Sequence, residues 1–107
     1  MLHARLTIHR LEVDGTETSV ALATLMAVRR DSSPDLQWEV VAQTLGAEPP
    51  VLGTNELGLV VVSGADAQGV PLLSQLCGRA VVVRYVDSTV VWRGDGPLAG
   101  FDETWLG

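Results

Sequence analysis

The sequence predicts a mainly β fold, an antiparallel β-barrel or β-sandwich with one short helix. Apolar residues recur with period two from Leu2 to Ile8. Asp14-Gly15 and Asp87-Ser88 have the composition of two-residue hairpin turns, and β-branched residues fill Leu59 to Val62 and Arg79 to Val86. An α+β fold with a helix over 33–45 is the alternative. A chain of 107 residues, 47% hydrophobic and 19% charged, has the size and balance of one globular domain spanning 1–107.

Leu2, Ala4, Leu6 and Ile8 alternate with His3, Arg5, Thr7 and His9, as in a strand with one buried face. Leu11 and Val13 have the opposite parity, so one extra residue, a β-bulge, is expected near His9-Arg10. Asp14-Gly15 then turns the chain into an antiparallel partner over Thr16 to Arg30. That segment is apolar on both faces, and its Ala, Leu and Met residues also favour helix. After the punctuation of Asp31 to Asp35, Leu36, Trp38, Val40 and Ala42 alternate with Gln37, Glu39, Val41 and Gln43 as in a third strand. Ser33 as N-cap, Pro34 at the first helical position and Gly46 past the end fit a helix instead.

Gly46 to Gly58, with Pro49-Pro50, Gly53 and Asn55, reads as a surface loop. Leu59 to Val62 reads as a strand covered on both sides, closed by turn residues from Ser63 to Gly69. Val70 to Gly78, with Pro71 near its start and Gly78 at its end, is expected to be the short helix. Arg79 to Val86 and Thr89 to Arg93 are strands joined at Asp87-Ser88, and Gly94 to Pro97 stops the second. Phe101, Trp105 and Leu106 make the tail too apolar to remain in water, so it is expected to pack on the domain or on a neighbour.

Thirteen acidic and seven basic residues give a net charge of −6, and the arginines are scattered with no lysine among them. Such a field repels phosphate backbones and anionic membranes, so no nucleic-acid or membrane partner is expected. The single cysteine rules out an intrachain disulfide. With no apolar stretch of signal-peptide or membrane-spanning length, a cytoplasmic location is the expectation.

Few motifs carry chemistry. His3 and His9 share a strand face but stand roughly 20 Å apart at about 3.3 Å per residue, too far to bind one metal ion. Cys77, at the end of the expected helix, reads as a buried structural thiol, because a helix C-terminus opposes a thiolate. Gly94-Asp95-Gly96-Pro97-Leu98-Ala99-Gly100 departs from the dinucleotide-binding pattern and reads as a plain turn. Glu12, Asp14 and Glu17 around the first hairpin read as solvated carboxylates. No lysine is present for Schiff-base chemistry, and no catalytic residue, cofactor or metal is expected. Trp38, Trp92, Trp105 and Phe101 are the interface candidates, since aromatic residues are enriched at binding hot spots.

The stretch Leu72-Leu73-Ser74-Gln75-Leu76-Cys77-Gly78-Arg79-Ala80-Val81-Val82-Val83, followed by a hairpin and Val91-Trp92-Arg93-Gly94, resembles the small β-barrel domains of phage tail hubs and contractile-baseplate proteins. It covers about a third of the chain, and it implies an assembly component without catalysis. The leading expectation is a non-enzymatic, self-associating β-domain acting on itself and on another protein. Three strands apolar on both faces leave more apolar surface than one short helix and a tail can cover, which argues for a homo-oligomer. The rival is a small-molecule binder or enzyme at a barrel mouth built from Gly46 to Gly58 and the acidic first hairpin. A third class, an oligonucleotide-binding barrel, needs several arginines on one groove, and Arg79 and Arg84 have opposite strand parity.

Overall fold

The computed structural model describes residues 1–46 and 52–107. Seven strands follow in order: β1 (Leu2–Val13), β2 (Thr16–Thr18), β3 (Val20–Arg29), β4 (Leu36–Thr44), β5 (Thr54–Ala65), β6 (Pro71–Val86) and β7 (Thr89–Ala99). Every pairing is antiparallel. The six long strands close into a barrel in the order β1, β3, β4, β7, β6, β5 and back to β1, with β2 prolonging β3 alongside β1. Closure matters because it leaves the six-stranded wall without an open sheet edge.

The hairpin turns form as the sequence predicts. Asp14 and Gly15 take φ of 51° and 83°, and Asp87 and Ser88 take 50° and 65°, the paired positive φ of a type I′ turn. The expected β-bulge also forms: Ile8 pairs with Val61 and Arg10 with Val60, so His9 is the extra residue. The parity change lets Ala4 and Ile8 face the core before the bulge and Leu11 after it.

The third strand forms and its helical alternative is excluded, while the one expected helix is overturned. Residues 33–45 contribute β4, because Trp38, Val40 and Ala42 face the interior with 3% exposure or less while β3 and β7 satisfy the backbone on either side. Pro34 lies in a turn in which the Ser33 amide donates to the Arg30 carbonyl and the Asp35 amide to Ser33 Oγ, so the residues resembling a helix cap build a turn. The short helix over Val70 to Gly78 is also strand: β6 runs unbroken from Pro71 to Val86. Pro71 opens that strand, where no ladder donor is needed. Gly78 is small because a Cβ there would lie 2.8 Å from Trp38 Cζ2, not because it ends a helix. The only helical element among the described residues is a 3-10 turn, Glu103–Trp105.

Other bounds shift as well. The surface loop is shorter than Gly46 to Gly58, since β5 begins at Thr54; residues 47–51 lie outside the described residues. β5 continues past Ser63 to Ala65, and β7 continues past Gly94 to Ala99. Inside the barrel, Leu11, Leu25, Val40, Leu57, Leu59, Val61, Val90 and Trp92 are almost fully enclosed. The interior is filled by side chains.

Candidate functional site

Trp38 and Trp92 are core residues, 3% and 1% exposed, and offer no surface to a partner. Trp38 projects from β4 onto two glycines, Gly78 and Gly94, where any Cβ would collide with its indole. Its Nε1 donates to the Gly96 carbonyl at 3.0 Å. β7 supplies that acceptor by bulging out between Gly94, which pairs with Ala80, and Leu98, which pairs with Gly78. Trp92 Nε1 donates to Asn55 Oδ1 at 3.1 Å, and Asn55 Nδ2 donates to Asp14 Oδ2 at 2.8 Å. Asn55 is the buried polar side chain of the barrel. Asp14 also accepts the Glu56 amide at 2.8 Å, and its own amide donates to the Glu56 carbonyl. These bonds, the Glu56 amide foremost and Asn55 second, hold the Asp14 carboxyl below the usual carboxylate range.

Phe101 and Trp105 are half-buried on the tail, stacked edge to face at 5.1 Å. The tail packs on its own domain, one of the two outcomes the sequence allows. Its Gly107 exchanges hydrogen bonds with His3 of β1 at 3.0 and 3.3 Å, and Glu103 pairs with Arg29 of β3 at 2.6 Å. The Arg29 bond lowers the Glu103 carboxyl, and bonds from the Thr104 hydroxyl and amide lower that of Asp102.

Beside this strap lies a cleft of about 1180 Å³, bordered by Ala27, Trp38, Leu98 and Phe101 and by the charged Arg29 and Glu103. It sits at the end of the barrel opposite the Asp14-Gly15 hairpin. The acidic hairpin and the described part of the loop, from Leu52 on, do not line it; residues 47–51 of that loop lie outside the described residues. Two ion pairs border the cleft, Arg29 with Glu103 and Arg93 with Glu39, beside Arg5, Asp35 and Arg30, whose Nε donates to Gln37 Oε1 at 3.1 Å. Arg29 Nε is buried without an acceptor among the described residues. Among the described residues, no serine, threonine or cysteine lines the cleft.

The second candidate surface was not foreseen. β5 pairs with β1 only as far as Val61, and β6 pairs with β7 only from Cys77. Beyond those points the two strands continue with each other alone, Val62 opposite Leu73, Gly64 opposite Leu72 and Ala65 opposite Pro71. The result is a two-stranded arm leaving the barrel wall. Every residue from Gly64 to Leu73 is exposed, among them Val70, Leu72 and Leu73 at about half of their full area. The arm is shaped internally: Ser63 is an extra residue of β5 whose Oγ lies 2.8 Å from that of Ser74. At the tip, Asp66 Oδ1 accepts the amides of Gln68 and Val70 at 2.8 and 2.9 Å. From Leu57 to Gly78 the only charged residue is Asp66, although the chain carries thirteen acids and seven bases. The composition of that window is plain in the sequence, but its projection from the wall depends on Val70 to Gly78 being strand rather than helix.

Cys77 is exposed on the outer face of β6 opposite Gly58, which corrects the expectation of a buried thiol. His3 and His9 are exposed, and no group of three His, Cys, Asp or Glu side chains able to hold a metal ion forms among the described residues. Arg79 and Arg84 are both exposed, because the extra residue Val83 lets Arg84 pair with Val91 while Val82 faces Trp92. The parity argument that set these two arginines on opposite faces fails at that bulge. No helix of the described residues is long and apolar enough to cross a membrane.

No protein-family model matches the chain, and neither a curated protein nor a solved structure is significantly similar to it.

Proposed function

We propose that the protein is a non-enzymatic, self-associating β-domain that works through protein-protein contacts as a component of an assembly. The observation that carries this reading is the arm, whose one charge is Asp66 at the tip and whose exposed Val70, Leu72 and Leu73 have no cover among the described residues. Contiguous exposed apolar surface of this kind marks an interaction site on a protein that otherwise buries its core. The barrel interior, filled by side chains such as Leu25, Val40, Leu59 and Trp92, supports the same reading. The resemblance of Leu72 to Gly94 to phage tail hub and baseplate barrels fits it as well. Light scattering at tens of micromolar tests it: a mass of at least twice 11.4 kDa is expected, and a strictly monomeric mass refutes self-association.

A second reading, a small-molecule binder, is favoured by one observation, the unpartnered Arg29 Nε at the wall of the strap-side cleft. Small carboxylates that raise the melting temperature of the native protein, but not of an Arg29→Gln variant, would favour it over assembly.

A further inference from the structure

We propose that two copies of this chain join through the free β5 edge of the arm, Val62–Ala65, paired antiparallel across a two-fold axis into a four-stranded sheet of the order β6, β5, β5, β6. The inference rests on the self-association reading above and names its surface. Four features point to this occupant.

The backbone comes first. Each strand of the arm has one edge facing its partner and one facing outward, and the described residues place no third strand against Val62–Ala65. Isolated two-stranded ribbons are marginal in water, whereas four strands with apolar faces are independently stable. Pairing with a second copy supplies the missing strands and satisfies the outward amides and carbonyls.

The choice between the two edges follows from sequence. The outer edge of β6 begins at Pro71, which has no amide to donate, and the tail runs beside Gln75, where a Cβ on Gly100 would collide with the Gln75 carbonyl. The β5 edge is Val62-Ser63-Gly64-Ala65, with no proline and no charge. Exposed edges are ordinarily blunted by lysine, proline, inward-pointing charges or β-bulges. Of these devices the β5 edge carries one, the bulge at Ser63, and it lacks the proline that removes a donor from the β6 edge.

Charge then selects a second copy. The body of each molecule bears almost all of the charges that sum to −6, so two bodies repel. The arm is the surface on which two such chains meet without setting like charges against each other. A two-fold pairing is also self-limiting, because it consumes the same edge on both copies and leaves none to propagate a fibre.

Packing completes the case. Ser63, Leu72 and Ser74 share one face of the arm, while Val62 and Leu73 share the other. In the joined sheet each set meets its symmetry mate side by side. The arm from Val62 to Gln75 offers 14 residues to each side, fewer than the roughly 20–30 of a standard interface, so the pairing belongs to the smaller and more weakly held class.

The test combines native mass with hydrogen exchange on the full chain. The wild type is expected at twice 11.4 kDa, with the amides of Val62–Ala65 gaining protection as concentration rises through the dimer transition. A Val62→Lys/Leu73→Lys variant, and independently a variant in which residues 63–72 are replaced by Asn-Gly, are expected to shift the mass to 11.4 kDa or weaken association at least tenfold. Circular dichroism checks that each barrel is folded. If the wild type dimerises and both folded variants still dimerise, the arm is not the interface, although self-association stands. If the variants lose the dimer but Val62–Ala65 exchange equally fast in both states, the edge pairing is wrong. A monomeric wild type defeats both readings together.

Discussion

Replacing Asn55 with leucine keeps the volume of a buried side chain but removes both of its hydrogen bonds, and the consequences can be worked out from the site. Trp92 Nε1, on a residue 1% exposed, would lose its acceptor at 3.1 Å. A buried donor left unpaired costs about 1–3 kcal/mol, so the loss should be near 2 kcal/mol. For a domain of this length that lowers the melting temperature by about 8–10 °C. Asn55→Leu also frees one oxygen of Asp14 while the Glu56 amide still binds the other. Because the folded carboxyl of Asp14 is depressed, its contribution is complete above the unfolded value of about 3.9 and disappears as pH falls through the folded value. Wild type has the larger depression and so loses more in acid, and the gap between wild type and variant should narrow as the pH falls below the unfolded value of about 3.9. Urea unfolding of both proteins above and below that value measures the gap. A variant as stable as wild type at pH 7 would refute the network, and a gap that widens in acid would refute the assignment to Asp14.

Gly94→Ala should destabilise by about 1–3 kcal/mol, because the new Cβ overlaps the Trp38 indole, whereas Gly58→Ala, whose Cβ would meet Glu12 at an ordinary 3.4 Å, should remain within about 0.5 kcal/mol of wild type; equal unfolding midpoints for the two variants would contradict this packing. Cys77 should react completely with a thiol reagent in the folded protein at sub-micromolar concentration and pH 8, and Cys77→Ser should change stability by less than about 0.5 kcal/mol. Labelling that requires unfolding would place the thiol elsewhere. Replacing residues 63–72 with Asn-Gly should leave a cooperatively folding barrel, since β1, β3, β4 and β7 make no ladder contacts with the removed segment. Loss of cooperative unfolding would show that the arm is part of the core.

What the sequence reveals here is what neighbouring residues decide. Positive-φ turns at Asp14-Gly15 and Asp87-Ser88 are two-residue events, and the bulge at His9 is a change of parity within twelve residues. Each is legible because no distant partner is needed to specify it. Pro34 and Gly78 mislead for the opposite reason. Both carry the local marks of helix ends, yet Pro34 turns the chain between two strands, and Gly78 makes room for an indole forty residues away in sequence. Asn55 lies in what reads as a loop because its partners, Trp92 and Asp14, are 37 and 41 residues distant.

The arm lies between these cases. Its chemistry, one charge between Leu57 and Gly78, is a plain property of the sequence. Its geometry is not, since only the pairing of β5 with β1 ending at Val61, and of β6 with β7 beginning at Cys77, shows that the segment leaves the wall. The two facts constrain each other. An uncharged hairpin inside a closed barrel would need no explanation, because both of its edges would be paired and one face buried. A projecting hairpin rich in charge would need none either, because solvation alone would keep it apart. A projecting hairpin whose one charge sits at its tip has an edge and two faces unsatisfied at once, and a second copy of the same edge satisfies the backbone without bringing the acidic bodies of the two molecules together.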